Sequence, residues 1–270
     1  MHGVFTLFRV DISLRNVSDR YRVQVTTISP SHIKACENLP DDPMSVVTGS
    51  MAIMSRIISF NTADKADVVA FLGAAGNLTS DQQRNLGVMR ELAQARQRDL
   101  DHEGLDWGLS IPDALDHLIA GHASSDAEYA AGAYYSALQL IIDRNGSDPS
   151  DLGVYSKPGT FFSLLDDELR RLGVSADLLP HAHLFAGPPD EIPFYIPYPV
   201  DGPHIGMWPL AKAKPAADAY RTVLGQMDDG FTYDTQHLIE KLEFEHAEWE
   251  FATKNLNWYT QDTIFFSIKG

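Results

Sequence analysis

Five prolines fall within the thirteen residues from Gly187 to Pro199. Proline has no amide donor and biases its predecessor toward extended backbone, so neither a helix nor a central strand can run through this stretch. Residues 186–209 are therefore read as an ordered, aromatic-rich loop laid over the fold and carrying Phe194, Tyr195 and Tyr198. Helical patterning stands on both sides of it.

Upstream, a short helix over 64–72 precedes a long one to residue 98, capped by Thr79 or Ser80 with Gln82 or Gln83 as the capping-box partner. Leu86, Met89, Leu92 and Ala93 give it one apolar face. Its Arg84, Arg90, Arg96 and Arg98 make the basic cluster of the chain, read as solvated or paired with neighbouring acids. Ser110 caps the next helix, with Pro112 in its first turn, a stripe of Ile111, Ala114, Leu115, Leu118 and Ile119, and Gly121 as its stop. Further helices are expected over 126–143 and 161–172, with a short one from a cap at Ser175 to residue 184. Beyond the loop, 212–224 and 235–256 are helical.

Strand character is concentrated at 55–60 and 263–268, where β-branched and aromatic residues gather. Each is too short to stand unpaired, so the two are expected to be neighbours in one sheet. The predicted class is α+β, a mainly helical single domain over 54–270 around a small sheet containing those two strands. The first 50 residues read differently. Two β-leaning runs, 4–12 and 21–27, flank a turn, and 28–50 brings Pro30, Pro40, Pro43 and Gly49 with little periodicity. They are expected to form an extension, hairpin-like or poorly ordered, and a poor match to a signal peptide.

Composition removes several classes of function. The single cysteine, Cys36, rules out an internal disulfide framework and a multi-cysteine zinc site. A formal net charge of −16 argues against phosphate-led binding of nucleic acid and against adhesion to an anionic membrane. No apolar run approaches the roughly 20 residues that span a bilayer. A cytoplasmic location follows as the expectation; the acidic balance reads as solubility, with a basic protein partner as the sharper alternative.

Strong catalytic motifs are absent: there is no P-loop, dinucleotide-binding glycine pattern, nucleophile elbow or His-Glu-x-x-His. His181-Ala182-His183, with Asp201 and His204, has metal-ligand chemistry. Residues two apart converge on extended backbone, however, and Pro180 makes this a helix edge or loop. No metal and no cofactor is predicted. Glu245 interrupts the seam of Leu238, Leu242, Trp249, Ala252 and Leu256 on the last long helix. A buried carboxylate there needs a partner or a raised pKa, which is also what a general acid needs. The competing reading pairs it with an arginine of the basic helix. Catalytic candidates are thus Glu245, His181 and His183. Trp107, Tyr134, Tyr195 and Trp208, with Tyr135, Phe194, Tyr198 and Trp249, are candidates to line a ligand pocket beneath the proline loop. Glu240, Glu243 and Glu250 lie off the apolar seam and are candidates to meet a basic partner.

Two passages carry a family likeness. Leu105-Asp106-Trp107-Gly108 precedes Asp113-Ala114-Leu115-Asp116-His117-Leu118-Ile119-Ala120-Gly121. Later, Leu184-Phe185-Ala186-Gly187-Pro188, Ile192-Pro193 and Pro199 lead to Ile205-Gly206-Met207-Trp208. Over 54–270 the chain resembles an uncharacterised, actinobacterial-type bacterial domain-of-unknown-function family, distantly similar to YfbM-like proteins. The resemblance implies a proline-rich segment leading into a Gly-x-Trp helix start and strands at both ends of the domain, but no activity. Before the last strand the family often has glycines, where this chain has Asn255-Leu256-Asn257-Trp258-Tyr259-Thr260. The function expected is that of a noncatalytic binding protein, immunity- or inhibitor-like. The alternative is a small-ligand-binding or hydrolase-like protein with a pocket under residues 187–209.

Overall fold

The computed structural model describes residues 55–200 and 203–269. In chain order these form β1 (Arg56–Ala63), α1 (Lys65–Phe71), α2 (Ser80–Glu103), α3 (Ile111–Ala120), α4 (Ala130–Asn145), β2 (Ser150–Tyr155), α5 (Pro158–Arg171), α6 (Pro180–Leu184), β3 (His204–Pro209), α7 (Leu210–Val223), α8 (Asp229–Asn255) and β4 (Thr263–Lys269). Short 3₁₀ turns at Ala176–Leu178 and Leu224–Gln226 complete the set. The β-leaning runs at 4–12 and 21–27, Cys36 and Asp201 lie outside the described residues.

The first and last strands pair with each other, as their patterning predicts. β1 runs antiparallel to β4, with Ile58 opposite Ile268 and Phe60 opposite Phe266. β2 and β3 add antiparallel edges, giving the order β2-β1-β4-β3. Six residues in each central strand are buried in succession, which requires cover on both faces of the sheet. Side chains alternate across a strand. Ala63, Ile205 and Phe265 accordingly join a core with α1–α4, whereas Ile58, Phe60, Trp208, Ile264, Phe266 and Ile268 join one with α5–α8. The result is an α+β fold, mainly helical around a small sheet.

Local chemistry sets the helix ends. The Thr79 hydroxyl accepts from the Gln82 amide, and the Gln82 side chain accepts from the Thr79 amide, closing a capping box on α2. Asp64 caps α1 and Ser110 caps α3, while Gly121 ends α3 in the left-handed region. α2 runs on to Glu103, past the expected stop at 98, until Gly104 takes a left-handed conformation. Its buried stripe is Leu86, Met89 and Ala93, and Leu92 stays 41% exposed. α4 is buried nearly all round, as a helix between a sheet and other helices must be.

Several expectations need correction. The loop reading of 186–209 holds only to residue 200 among the described residues, since His204–Pro209 is an edge strand. The Gly206-x-Trp208 motif therefore lies within β3, and the helix begins at Leu210. β2 was not expected: Gly153 and exposed Ser150 and Asp151 hide its strand character, and its register slips opposite Ile58/Ser59. α4 starts at Ala130 rather than 126, α5 at Pro158 rather than 161, and α8 at Asp229 rather than 235, where Asp228 caps it. Pro180 divides the helix expected after Ser175 into a 3₁₀ turn and α6.

Candidate functional site

The proposed site residues scatter. Trp107 is half-buried against Gly132 of α4, where a Cβ would come within 3.0 Å of the indole. Tyr134 is fully buried, and its hydroxyl accepts from the Ser125 amide at 3.0 Å and meets His117 Nδ1 at 2.9 Å. Trp208 is equally buried on the opposite face of the sheet, and Tyr195 is 79% exposed. These four line no common pocket. Trp107, Tyr134 and Trp208 carry the signal of core packing, and Tyr195 stands in solvent.

The histidines of α6 are taken up by structure. His183 stacks on Trp208 with ring centroids 4.2 Å apart, and its nitrogens face the carbonyls of Met207 and Asp177. The His181 ring stacks on Phe185, while its amide donates to Asp166. Among the described residues, no group of three or more histidine, cysteine or acidic side chains is placed to hold a metal ion.

Glu245 lies on α8 over an apolar floor of Phe60, Leu152, Ile264 and Phe266. Burial there holds its carboxyl above the usual glutamate value, Lys241 opposes the shift, and Glu248 adds to it. The cavity beside it measures about 10 Å³, room for a water but not for a substrate. The arginine pairing considered for it fails on topology, because α2 belongs to the core on the other face of the sheet. The basic cluster instead pairs with acids of α2, α3 and α4, as Arg84–Asp81, Arg90–Asp116 and Arg96–Asp143.

On α8 the acids divide. Arg221 holds Glu243 and Lys254 holds Glu250, while Glu240 accepts only from Gln236 among the described residues. The helical step of about 100° per residue places Tyr233, Phe244 and Phe251 on one stripe with Glu240 beside it. These aromatics are 80%, 60% and 62% exposed.

A cleft of mixed polar and apolar lining draws on four separate elements. Arg96 comes from α2, Tyr135, Ser136 and Gln139 from α4, Pro203, His204 and Ile205 from the entry to β3 and the strand itself, and Ser267 and Lys269 from β4. Residues four apart share a helix face and residues two apart share a strand face, which aims Tyr135 with Gln139 and Ser267 with Lys269. The cavity measures about 130 Å³. It lies next to the end of the proline-rich segment.

One carboxylate organises the cleft from behind. Asp143 Oδ2 accepts from Arg96 at 2.9 Å, and its Oδ1 accepts from Gln139 Nε2 at 2.6 Å. Arg96 also donates to the Ser136 carbonyl at 3.2 Å. The carboxylate demands the amide nitrogen, so the Gln139 orientation follows from its neighbours. Gln139 is 5% exposed, and its Oε1 is buried with no hydrogen-bond partner among the described residues. Lys269 ends β4 as an exposed residue, and the neighbouring atoms that take part of the water from its ammonium lower its pKa from the usual lysine value. The field of Arg96 adds to that fall, whereas Asp143 and Asp151 oppose it. An anion between the two cations would relieve both effects.

A larger groove of about 340 Å³ lies between α2 and α3, floored by Leu78, Leu86 and Ile119. Its facing charges, Arg90 and Asp116, pair with each other at 2.8 Å. Among the described residues its lining brings no second cation to join Arg90, whereas the smaller cleft brings Arg96 and Lys269 together.

Residues 54–267 match the model of a family described as a domain of unknown function, DUF7691. Comparison with curated proteins gives no match, and comparison with solved structures gives none either. No helix among the described residues is long and apolar enough to cross a membrane.

Proposed function

The chain belongs to the DUF7691 family, and we propose that it binds a small anionic molecule in the cleft between α2, α4, β3 and β4. The observation that carries this reading is the convergence of Arg96 and Lys269 on one cavity of a chain whose net charge is −16. In so acidic a protein, a paired-cation cleft with hydroxyl groups and a buried amide is the place where an anion gains most. The reading keeps a ligand site at the end of the proline-rich segment, with Tyr135 the one proposed aromatic among its lining residues. The net charge and the absence of a membrane-crossing helix among the described residues support a cytoplasmic setting. The test is an NMR titration of the full chain with propionate. Saturable shifts on Lys269 and Gln139 are expected, and Lys269→Ala should weaken them at least about tenfold, because a charge-assisted contact contributes roughly 1.5–3 kcal/mol. An unshifted spectrum, or full binding by the variant, refutes the site.

A second reading rests on α8. Exposed Tyr233, Phe244 and Phe251 share a face with Glu240, an acid that no cation neutralises among the described residues. Such a face favours a basic protein partner, which would associate fast at low salt and weaken as salt rises. Glu240, Glu243 and Glu250 changed together to glutamine should slow that association and leave propionate binding unchanged. Association that survives both the substitutions and high salt removes the acids from the reading.

A further inference from the structure

Resting on the α8 reading above, we infer that this face receives an amphipathic α-helix of a basic protein, packed lengthwise along it. α8 carries two seams. Leu238, Leu242 and Trp249 belong to the one that turns inward, and the core takes them up. The other runs through Tyr233, His237, Glu240, Phe244, Ala247 and Phe251. Its steps are four, three, four, three and four residues, the heptad spacing of helices that pack side by side. At about 100° per residue, all six fall within roughly 40° of one line. His237 is half-buried and the other five are exposed.

Spacing selects a helix as the occupant. From Tyr233 to Phe251 the seam is about 27 Å long at 1.5 Å per residue. A strand repeats every two residues and cannot keep step with it, whereas a helix laid along it meets every rung. Aromatics aligned and exposed in this way mark an interaction surface. Glu240 sets a carboxylate in the middle of the seam, so the partner must bring a cation there.

Charge decides between a second copy of this chain and a basic helix. Asp234, Lys241 and Glu248 flank the seam on one side, and Gln236, Glu243 and Glu250 on the other. Arg221 holds Glu243 and Lys254 holds Glu250, while Glu240 and Glu248 have no ion pair among the described residues. Two copies of α8 packed antiparallel, with Tyr233 against the second copy's Phe251, would set Asp234 against Glu248. Lys241 and Glu243 would each face their own counterparts. Packed parallel, the copies would bring Glu240 against Glu240 inside the seam. Like charges at such positions disfavour pairing. A helix with an apolar seam flanked by Lys or Arg meets the same pattern with the opposite sign.

The experiment titrates the full-length protein, near physiological salt, into dilute fluorescent peptides of three heptads and follows their anisotropy. One peptide has leucine along its seam and lysine at its flanks. The second has the same composition in scrambled order, and the third has glutamate at the flanks. The first is expected to bind at least about tenfold more tightly than either of the others, and to gain helix by circular dichroism on binding. Phe244→Ser with Phe251→Ser should weaken it at least about tenfold, through the loss of two rings that it would bury. The scrambled peptide should be unaffected. Both side chains stand in water, so the fold should tolerate the pair of substitutions, which a melting curve checks. Equal binding of ordered and scrambled peptides overturns the inference and leaves the α8 reading in place, provided that both weaken in the Glu240, Glu243 and Glu250 triple variant. A glutamate peptide that binds as tightly as the lysine one overturns it too. So does a dimer in sedimentation that the two serines dissolve, since the occupant would then be a second copy. If neither lysine peptide binds, the α8 reading itself falls.

Discussion

Gly206 sits where β3 passes under the end of α6, and replacing it with alanine is the sharpest test of this packing. A Cβ at that position would lie 2.2 Å from the Leu184 carbonyl oxygen, 2.4 Å from its carbon and 2.5 Å from the His183 oxygen. All three are backbone atoms, so no side-chain rotation can relieve the clash. Separating the two elements to ordinary contact takes a shift of about 1 Å. That shift is opposed by the Gly187 amide donating to Ile205 at 2.9 Å, by the His183 contact to the Met207 carbonyl at 3.2 Å, and by the stacked, buried Trp208. Overpacking a core costs about 1–3 kcal/mol, and each hydrogen bond lost in the adjustment roughly 0.5–1.5 kcal/mol. Gly206→Ala should therefore destabilise the fold by about 3 kcal/mol in urea denaturation. Gly87→Ala is the matched control: it lies inside α2 with nothing within 4 Å of the new carbon. It should stabilise by about 0.5–1 kcal/mol, because alanine has less freedom to lose than glycine. β3 also brings His204 and Ile205 to the cleft, so propionate binding should weaken in the first variant and not in the second. A loss below about 1 kcal/mol for Gly206→Ala would falsify the reasoning, since overpacking and hydrogen-bond terms together exceed it.

Three further outcomes are expected. Glu245 binds a proton more readily when folded, so its contribution to stability falls as pH rises from 4.5 through its raised value. Glu245→Gln should flatten that part of a pH–stability curve, and an unchanged slope would show that the carboxyl feels no burial. Lys269 must be protonated to hold an anion and its pKa lies below the usual 10.5, so propionate affinity should decline with rising pH before that value is reached. Affinity that is constant up to pH 10.5 removes Lys269 from the site. Residues 54–270 expressed alone should melt cooperatively at the temperature of the whole chain, and a drop of more than about 5 °C, roughly 1 kcal/mol or more, would place part of residues 1–50 in the core.

Residues 55–60 and 263–268 announced themselves as strands, and their partnership followed because neither is stable alone. The caps at Thr79 and Ser110 and the stop at Gly121 were legible for a similar reason: each is a local contest over backbone hydrogen bonds, decided within a few residues. β2 and β3 were not legible. Edge strands need only one paired side, so Gly153, exposed Asp151 and the proline-led approach to His204 are tolerated there and blur the pattern. The cleft was read least well. Arg96 was visible as one of a basic cluster, Tyr135 as an aromatic and His204 as a possible ligand, but nothing nearby marked Gln139 or Lys269. Their meeting depends on where β4 pairs with β1 and β3 and on how α4 lies against that sheet, contacts between residues as far apart as Arg96 and Lys269. The Gln139–Asp143 bond is local, an i, i+4 contact within α4, whereas the packing that buries the Gln139 oxygen is a tertiary fact. Periodicity records which face of an element is buried, whereas the chemistry of a cleft depends on which faces the fold brings opposite one another.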